Sequence, residues 1–288
     1  MTMIDAMRSI AVLEHGSVYV DLNEIAFISP AATLLLVAEL DRWRRLKNIK
    51  LRPRDIETMH DQVLYSLASM GFFNILGTHN LPPFTTDPGA PQPIRFCSGN
   101  QSDLKKASDV SAELQRIAGA SLGQEELLLN DAIAEAMTNS VQHAYPSSLI
   151  DGLPVLKGEW WATGSYDQTR HRLTVLVYDQ GIGIPATLPS SKHWDRITKR
   201  IPGYKELWPE DARLIEAAIE EGRSSKLTEG RGLGLAEIAD LVYNSDGGHL
   251  RIISGRGEVR IQPGVKTVLQ NHQRPLGGTL VEIALTLS

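Results

Sequence analysis

The sequence has a single cysteine, Cys97, no long apolar run and no excess of positive charge. One cysteine excludes an internal disulfide and any metal site made of several thiolates. The 29 lysines and arginines stand against 34 aspartates and glutamates, which leaves a formal net charge of −5. No overall basic field therefore favours nucleic acid or anionic lipid, and we expect no direct nucleic-acid binding.

Segments that would direct the chain to a membrane are not indicated either. The best apolar run, 31–38, contains Thr33 and ends at Glu39, far short of the roughly 18 apolar residues that a membrane span requires. The first residues include Asp5 and lack the apolar centre of a signal peptide. We therefore expect no membrane partner and a cytoplasmic location.

What is present is an ordinary globular composition. The 288 residues are 42% hydrophobic and 22% charged, enough for about two domains. The clearest boundary is a linker at 79–100, which is rich in proline: Pro82, Pro83, Pro88, Pro91 and Pro93. The sequence therefore predicts an N-terminal domain at 1–78 and a larger domain at 101–288, both of the α/β class.

The N-terminal domain alternates β-prone runs with helices. Strand candidates are found at 18–22, 25–28 and 49–51. Ser29 followed by Pro30 predicts a hydroxyl N-cap with proline at the first helical position, so that a helix covers 31–45. A second helix is expected over 56–70, ended by Gly71.

In the larger domain, helices precede strands. Helices are predicted at 103–118, from a capping box at 121–124 to about 146, at 211–221 and at 233–243. Strand candidates are 93–97, 156–162, 173–178, 249–254 and 279–287. Two long helices over a mixed sheet make a two-layer α/β sandwich.

The helix over 130–145 has one polar face. Glu135, Asn139 and His143 are four residues apart, so they share that face, and an apolar stripe occupies the other. A carboxylate and an amide oxygen one turn apart suit an attacking hydroxyl and Mg²⁺. A solvated helix face would give the same pattern.

A strand then leads Asp179 into a loop containing Gly181 and Gly183. Asp179 is placed to accept a hydrogen bond from an exocyclic amine such as that of adenine. The two glycines would let the backbone approach a ligand closely. An ordinary strand-to-loop turn is the alternative interpretation.

A glycine-rich run precedes the helix at 233–243, which is typical of an anion site at a helix N-terminus. It matches neither the P-loop nor the dinucleotide-binding fingerprint. Phosphate binding by another kind of loop is therefore indicated for Gly230, Arg231, Gly232, Leu233, Gly234 and Leu235.

These three elements, in this order and with Gly277-Gly278-Thr279 before a last strand, resemble the nucleotide-binding boxes of the Bergerat-fold (GHKL) ATPases. The resemblance covers about 101–288. Within that family, the stretch from Glu135 to Tyr145 is most similar to anti-sigma-factor serine kinases. The resemblance implies a Bergerat ATP-binding fold with ATP and Mg²⁺ as cofactors.

The resemblance also implies roles for individual residues. Glu135 would be the general base, Asn139 the Mg²⁺ ligand, and Asp179 the adenine acceptor beside Gly181 and Gly183. Gly232 to Leu235 would hold phosphates, and Thr279 would lie near the base. His143 would contact the ligand or only cap and pack within the site, and Arg231 and Lys226 would neutralise phosphate charge or lie in solvent.

The same resemblance assigns an ATP lid to 184–229. The lid contains several prolines, and we expect it to close on nucleotide. Within it, the stretch 222–225 would either touch phosphates or form a mobile polar loop.

The N-terminal domain resembles STAS domains through 18–22, 25–33 and 64–72. Ala31 stands where that family carries its phosphoacceptor serine. Ser29 and Thr33 lie nearby, but Ser29 is explained as an N-cap. The resemblance therefore implies a degenerate STAS-like module that regulates or dimerises.

The sequence thus predicts an ATP- and Mg²⁺-binding regulatory protein, an anti-sigma-factor-like serine/threonine protein kinase. Its partner would be a separate regulatory protein of the sigma-factor or anti-sigma-antagonist type, and the resemblance also implies a homodimer. The alternative is an ATPase or ATP-gated switch that binds proteins through the STAS-like domain. A histidine-kinase fragment using His60 is less well supported, because no paired long helices surround that residue.

Overall fold

A computed structural model describes residues 20–48, 54–87, 89–123, 125–147, 156–204, 208–229 and 234–287. Several predictions fall outside these ranges: the strand candidate at 49–51, the beginning of the one at 18–22, Gln124 of the capping box, and the glycine-rich residues 230–233. Within the described ranges, the chain is an α/β protein in which helices cover an antiparallel sheet.

The helices, in chain order, are α1 (Pro30–Lys47), α2 (Asp61–Ser69), α3 (Phe72–Ile75), α4 (Leu104–Ala118), α5 (Glu125–Gln142), α6 (Ile184–Thr187), α7 (Trp194–Lys199), α8 (Asp211–Glu229) and α9 (Gly234–Tyr243). Short 3-10 helices lie at Ile56–Thr58 and Leu188–Ser190. No helix in the described ranges is both long enough and apolar enough to cross a membrane.

The strands are β1 (Gln92–Pro93), β2 (Cys97–Gly99), β3 (Trp160–Asp167), β4 (Arg172–Asp179), β5 (Gly248–Gln262) and β6 (Val265–Thr286). They form one six-stranded sheet in the order β1-β3-β4-β6-β5, and β2 also pairs with β3. Every pairing is antiparallel, so the prediction of a mixed sheet was wrong. Short turns join β3 to β4 and β5 to β6, and such hairpins can connect only antiparallel strands.

The last two strands are much longer than the sequence predicted. Only the C-terminal part of β6, Thr279–Thr286, pairs with β4. The preceding part continues with β5 as a two-stranded arm, and Asn271 of this arm accepts a hydrogen bond from the backbone N–H of Ala212 at 3.1 Å. The β6 side of the arm, 265–278, is mostly polar and alternates little, which is why the sequence did not reveal the arm.

One face of the sheet is covered by α4, α5, α8 and α9. Their apolar side chains form one core with the inward side chains of the strands, including Leu114, Ile133, Met137, Ile215 and Ile238. The apolar stripe predicted for α5 is confirmed, because Leu129, Ile133 and Met137 are buried there.

The other face of the sheet is covered by α1 of the N-terminal segment. Leu34 and Ala38 of this helix pack with Trp161, Leu176 and Tyr178 of β3 and β4. The helix begins as predicted: Ser29 Oγ accepts a hydrogen bond from the backbone N–H of Ala32 at 3.2 Å, and Pro30 follows the cap. The sheet therefore lies between α1 and the helices of the larger part of the chain.

Other N-terminal predictions were wrong in part. Residues 25–28 form no strand; instead Ile25 and Ile28 pack against the cluster formed by α1 and α2. A β-prone run becomes a strand only where a partner strand lies beside it. The helix predicted over 56–70 is divided into a 3-10 helix and α2, because the backbone of His60 between them is extended. Gly71, with φ of +85°, follows the end of α2 as expected.

Several boundaries also differ. β3 begins at Trp160 rather than 156, and the predicted strand at 93–97 is replaced by β1 and β2 on either side of it. α5 ends at Gln142, and α8 extends eight residues past 221. Ser121 accepts a hydrogen bond from the N–H of Gly123 and so closes a turn before α5, which begins only at Glu125.

Candidate functional site

A cavity of about 700 Å³ opens between α5, the end of β4, the beginning of α9 and the segment 187–193. A cavity of this volume accommodates a ligand of nucleotide size. Eight of the residues that the sequence singled out line it: Glu135, Asn139, His143, Asp179, Gly183, Gly234, Leu235 and Thr279. The structure thus brings together four stretches of chain that are far apart in sequence.

Asp179 lies at the end of β4 and is buried. Its Oδ1 accepts a hydrogen bond from the N–H of Gly181 at 2.9 Å, and Ser140 Oγ lies 3.4 Å from Oδ2. Burial raises the pKa of Asp179 to about 7, because desolvation outweighs these hydrogen bonds. A carboxyl group in this position can accept a hydrogen bond from a ligand amine.

The two loop glycines have different roles. Gly181 lies behind the cavity, where an added Cβ would overlap the carbonyl oxygen of Ala144 at the end of α5. Gly183 lines the cavity with φ of +87°, a conformation that other residues rarely adopt. Glycine is therefore needed at position 181 for space and at position 183 for its backbone conformation.

Thr279 lies directly opposite Asp179 in the pairing of β4 with β6. Its Oγ1 is 2.8 Å from Ser254 Oγ on β5, and Ser254 Oγ accepts a hydrogen bond from the N–H of Ile184 at 2.7 Å. The two hydroxyls thus connect the loop after β4 to the two neighbouring strands. Ser254 was missed as a site residue, because only the strand register places it here.

Glu135 and Asn139 project from α5, one helical turn apart. The pKa of the Glu135 carboxyl is raised by burial and, secondly, by the charge of Glu237. The Nδ2 atom of Asn139 is buried and has no hydrogen-bond partner among the described residues. An unpartnered buried amide facing a cavity is costly without a ligand, and rotation of the amide would present its oxygen instead.

Gly234, the first residue of α9, lies against Glu135. A Cβ at this position would overlap the Glu135 carboxylate. Leu235 also lines the cavity. The preceding candidates, Gly230, Arg231, Gly232 and Leu233, lie outside the described residues.

His143 lines the rim of the cavity and is exposed. The burial that it does have lowers its pKa, which favours the neutral imidazole. Its backbone N–H donates to the carbonyl oxygen of Asn139. The choice between ligand contact and packing stays open for this residue.

The segment 184–204 supplies a wall of the cavity that the sequence did not identify residue by residue. Thr187, Lys192 and His193 line the cavity, and the wall is fixed by packing of Leu188 and Ile197 against α8. A lysine and a histidine in a polar stretch give no signal of their own in a sequence.

The stretch 222–225 does not line the cavity. It forms part of α8, where Arg223 Nε donates to Asp240 Oδ1 at 3.1 Å and its guanidinium lies 4.2 Å from the centre of the Tyr243 ring. Neither the phosphate-contacting loop nor the mobile loop considered for 222–225 is present.

Hydroxyls near the expected phosphoacceptor position are engaged in α1. Thr33 is fully buried, and its Oγ1 donates to the carbonyl oxygen of Ser29 at 3.1 Å. Ser29 Oγ itself caps the helix. Residue 31, where the sequence resemblance would place an acceptor hydroxyl, is alanine, so neither Ser29, Ala31 nor Thr33 offers a free hydroxyl.

In the described part of the chain, no three His, Cys, Asp or Glu side chains lie together in a way that could hold a metal ion. A cation in the cavity would thus depend on Asn139 and on oxygens of a ligand. Mg²⁺ commonly binds in this manner, through one or two protein oxygens, phosphates and water. Asn139, whose buried side-chain nitrogen has no partner among the described residues, is the side chain that would hold such a magnesium–nucleotide complex.

No family model matches the chain, and no curated protein gives a significant match.

Proposed function

We propose that this chain binds ATP with Mg²⁺ in the cavity and transfers the terminal phosphoryl group to a hydroxyl of a separate protein, as a Bergerat-type serine/threonine kinase. One observation supports this proposal above others. Glu135, Asp179, Gly234 and Thr279, which come from separate sequence motifs, line a single cavity of nucleotide size.

Different residues of the cavity would bind different parts of the ligand. The Asp179 carboxyl would accept a hydrogen bond from the adenine amine. Asn139 would supply an oxygen ligand to Mg²⁺, which would neutralise charge on the phosphates. Glu135 lies one helical turn from Asn139 and against the first residue of α9. Its pKa is raised towards neutral pH, as suits a general base.

The acceptor would belong to another protein. Thr33 is buried, and Ser29 is used as a helix cap, so α1 provides no substrate hydroxyl in cis. A regulatory protein of the sigma-factor or anti-sigma-antagonist type is the proposed partner, bound with the help of the STAS-like N-terminal segment.

An ATP-gated switch without phosphoryl transfer is the second candidate. One observation favours it: His193 and Leu188 line the cavity, while Leu188 and Ile197 pack against α8. A ligand in the cavity would therefore shift the packing of this wall against α8. Binding alone would then change the surface that the protein presents to a partner.

Calorimetry with ATP tests the binding step. We expect uptake that needs Mg²⁺, and we expect Asn139→Ala to remove most of the magnesium dependence while ATP alone still binds weakly. Absence of any magnesium-dependent uptake at millimolar nucleotide by the unaltered protein would refute the proposal.

Incubation with γ-labelled ATP tests the chemistry. Glu135→Gln should retain nucleotide binding but lose transfer by about a hundredfold or more. Asp131→Asn is the matched control, because Asp131 is exposed one turn earlier on α5 and does not line the cavity. Label on a partner protein supports the kinase; binding without any turnover supports the switch.

A further inference from the structure

The end of β4 points its side chains alternately to two different layers. Val175 and Val177 pack in the core beneath α4, α5, α8 and α9, whereas Leu176 and Tyr178 pack against α1. Because side chains alternate along a strand, Asp179 faces the cavity and Gln180 is directed to the α1 side. Two consecutive residues thus connect the candidate site with the N-terminal helix.

Gln180 is bonded to a buried carboxylate of α1. Its Nε2 donates to Glu39 Oε2 at 3.1 Å. The other oxygen of Glu39 accepts a hydrogen bond from Trp43 Nε1 at 2.7 Å and pairs with Arg42. Since Glu39 is fully buried and fixed by its own helix, it holds the Gln180 side chain at a defined place.

The backbone of the same residue is held from another direction. The N–H of Gln180 donates to Tyr145 Oη at 2.9 Å, and that hydroxyl donates to the carbonyl oxygen of Glu159 at 2.7 Å. The N–H of Ile182 donates to the carbonyl oxygen of Ala144. The loop after Asp179 is therefore bonded to the end of α5 by its backbone and to α1 by one side chain.

Stability alone is a poor explanation for this side-chain contact. Gln180 is buried, and its Oε1 has no hydrogen-bond partner among the described residues. A buried amide with an unsatisfied oxygen costs free energy that an apolar side chain of similar size would not. The contact is more readily explained by what it holds in place, namely the backbone next to Asp179.

We propose that Glu39 is a positioning residue for the nucleotide site: through its hydrogen bond with Gln180 it fixes the loop at 180–183, so that the affinity for nucleotide depends on this contact between α1 and the loop. The inference rests on the proposed nucleotide binding. It makes the N-terminal helix a supporting part of the site, and a partner that displaced α1 would weaken nucleotide binding.

The test is Gln180→Met, which keeps the volume and removes the hydrogen bond to Glu39 while leaving the contacts of Glu39 with Arg42 and Trp43. Gln180→Leu is made in parallel, so that the result does not depend on the fit of one side chain. The matched control is Asp41→Asn. Asp41 pairs with Arg44 and Arg45 and its Oδ2 accepts a hydrogen bond from Trp161 Nε1 at 3.2 Å, so this variant removes the charge of another buried carboxylate of α1 without touching the contact with Gln180.

Two measurements are compared: calorimetric affinity for magnesium–ATP, and hydrogen exchange of amides 180–184 in the nucleotide-free protein. We expect the Gln180 variants to bind nucleotide about five- to tenfold more weakly and to exchange these amides faster, with Asp41→Asn close to the unaltered protein in both.

If Asp41→Asn and the Gln180 variants bind nucleotide equally well, or weaken it equally, the contact only anchors the helix and the inference is wrong, while the proposed function stands. If the unaltered protein binds no nucleotide, that measurement alone refutes the proposed function and the inference with it.

Discussion

The carboxylate of Glu135 on α5 lies directly against the backbone of Gly234 at the beginning of α9, where a Cβ would overlap it. The candidate base and Gly234, the last glycine of the glycine-rich motif, are therefore in direct contact. A larger residue at position 234 would have to displace the end of the Glu135 side chain, since space and not backbone conformation is the constraint there.

Gly234→Ala should displace the Glu135 carboxylate and reduce ATP turnover by at least about a hundredfold, because a base moved by an ångström no longer reaches its proton. The unfolding temperature should fall as well. Turnover assays and thermal denaturation measure the two effects.

The double variant Gly234→Ala with Glu135→Ala separates steric from chemical effects. Removing the carboxylate relieves the overlap, so the unfolding temperature should recover while turnover stays lost. A single Gly234→Ala variant with unaltered turnover and stability would contradict the described contact.

The buried carboxyl of Asp179 should give the protein a characteristic pH dependence. Its pKa of about 7 in the folded chain lies above the ordinary value of 3.8, so between these values the folded state holds a proton that the unfolded chain releases. The free energy of unfolding should therefore decrease as the pH rises from 4 to 7, by up to about 4 kcal/mol from this group.

Comparison with Asp179→Asn isolates that contribution, because the amide cannot ionise. Urea denaturation of both proteins between pH 4 and pH 8 should show the variant gaining stability relative to the unaltered protein as the pH rises, with no further change above pH 8. A constant difference across this range would show that Asp179 ionises as an ordinary carboxyl.

Glu258 on the long arm should have the opposite effect on the pH dependence: its contribution to the free energy of unfolding should decrease as the pH falls. Burial by itself would raise its pKa, but hydrogen bonds from Arg251, His272 and Arg260 outweigh burial and lower the pKa to about 2. The unfolded chain therefore takes up a proton near pH 4.5 while the folded chain does not. Stability from this group is present above pH 4.5 and is lost as the pH falls towards 2.

Glu258→Gln should thus lower the free energy of unfolding at pH 7 by roughly 3 kcal/mol and flatten the acid part of the profile. Glu113→Gln is the control, since Glu113 forms an exposed pair with Arg116 on α4 and such pairs contribute about 1 kcal/mol or less. Equal losses in the two variants would contradict a special role for the buried cluster.

A part of the candidate site was predictable, for local reasons. The four-residue spacing of Glu135, Asn139 and His143 fixes a shared helix face whatever surrounds the helix. A strand that ends in Asp179 before two glycines likewise restricts the backbone locally. These signals depend only on neighbouring residues, and they identified eight of the residues that line the cavity.

The helix start at Ser29 and Pro30 was predictable for the same reason, because a cap acts over three residues. The strand predicted from the β-prone run at 25–28 does not form, because strand formation depends on a partner strand that the run itself does not specify. The long arm of β5 and β6 was missed because its sequence carries little alternation.

By itself, the sequence determined which residues share a helix face, where helices begin, and where only glycine fits a turn, since each of these depends on backbone geometry over a few residues. The tertiary structure alone decided that Thr279 and Ser254 lie beside Asp179, that 187–193 form a wall of the cavity, and that Glu39 bonds to Gln180. These relationships depend on strand order, register and the packing of α1 on the sheet, which are set by contacts between residues far apart in the chain, from 25 positions for Ser254 and Thr279 to 141 positions for Glu39 and Gln180.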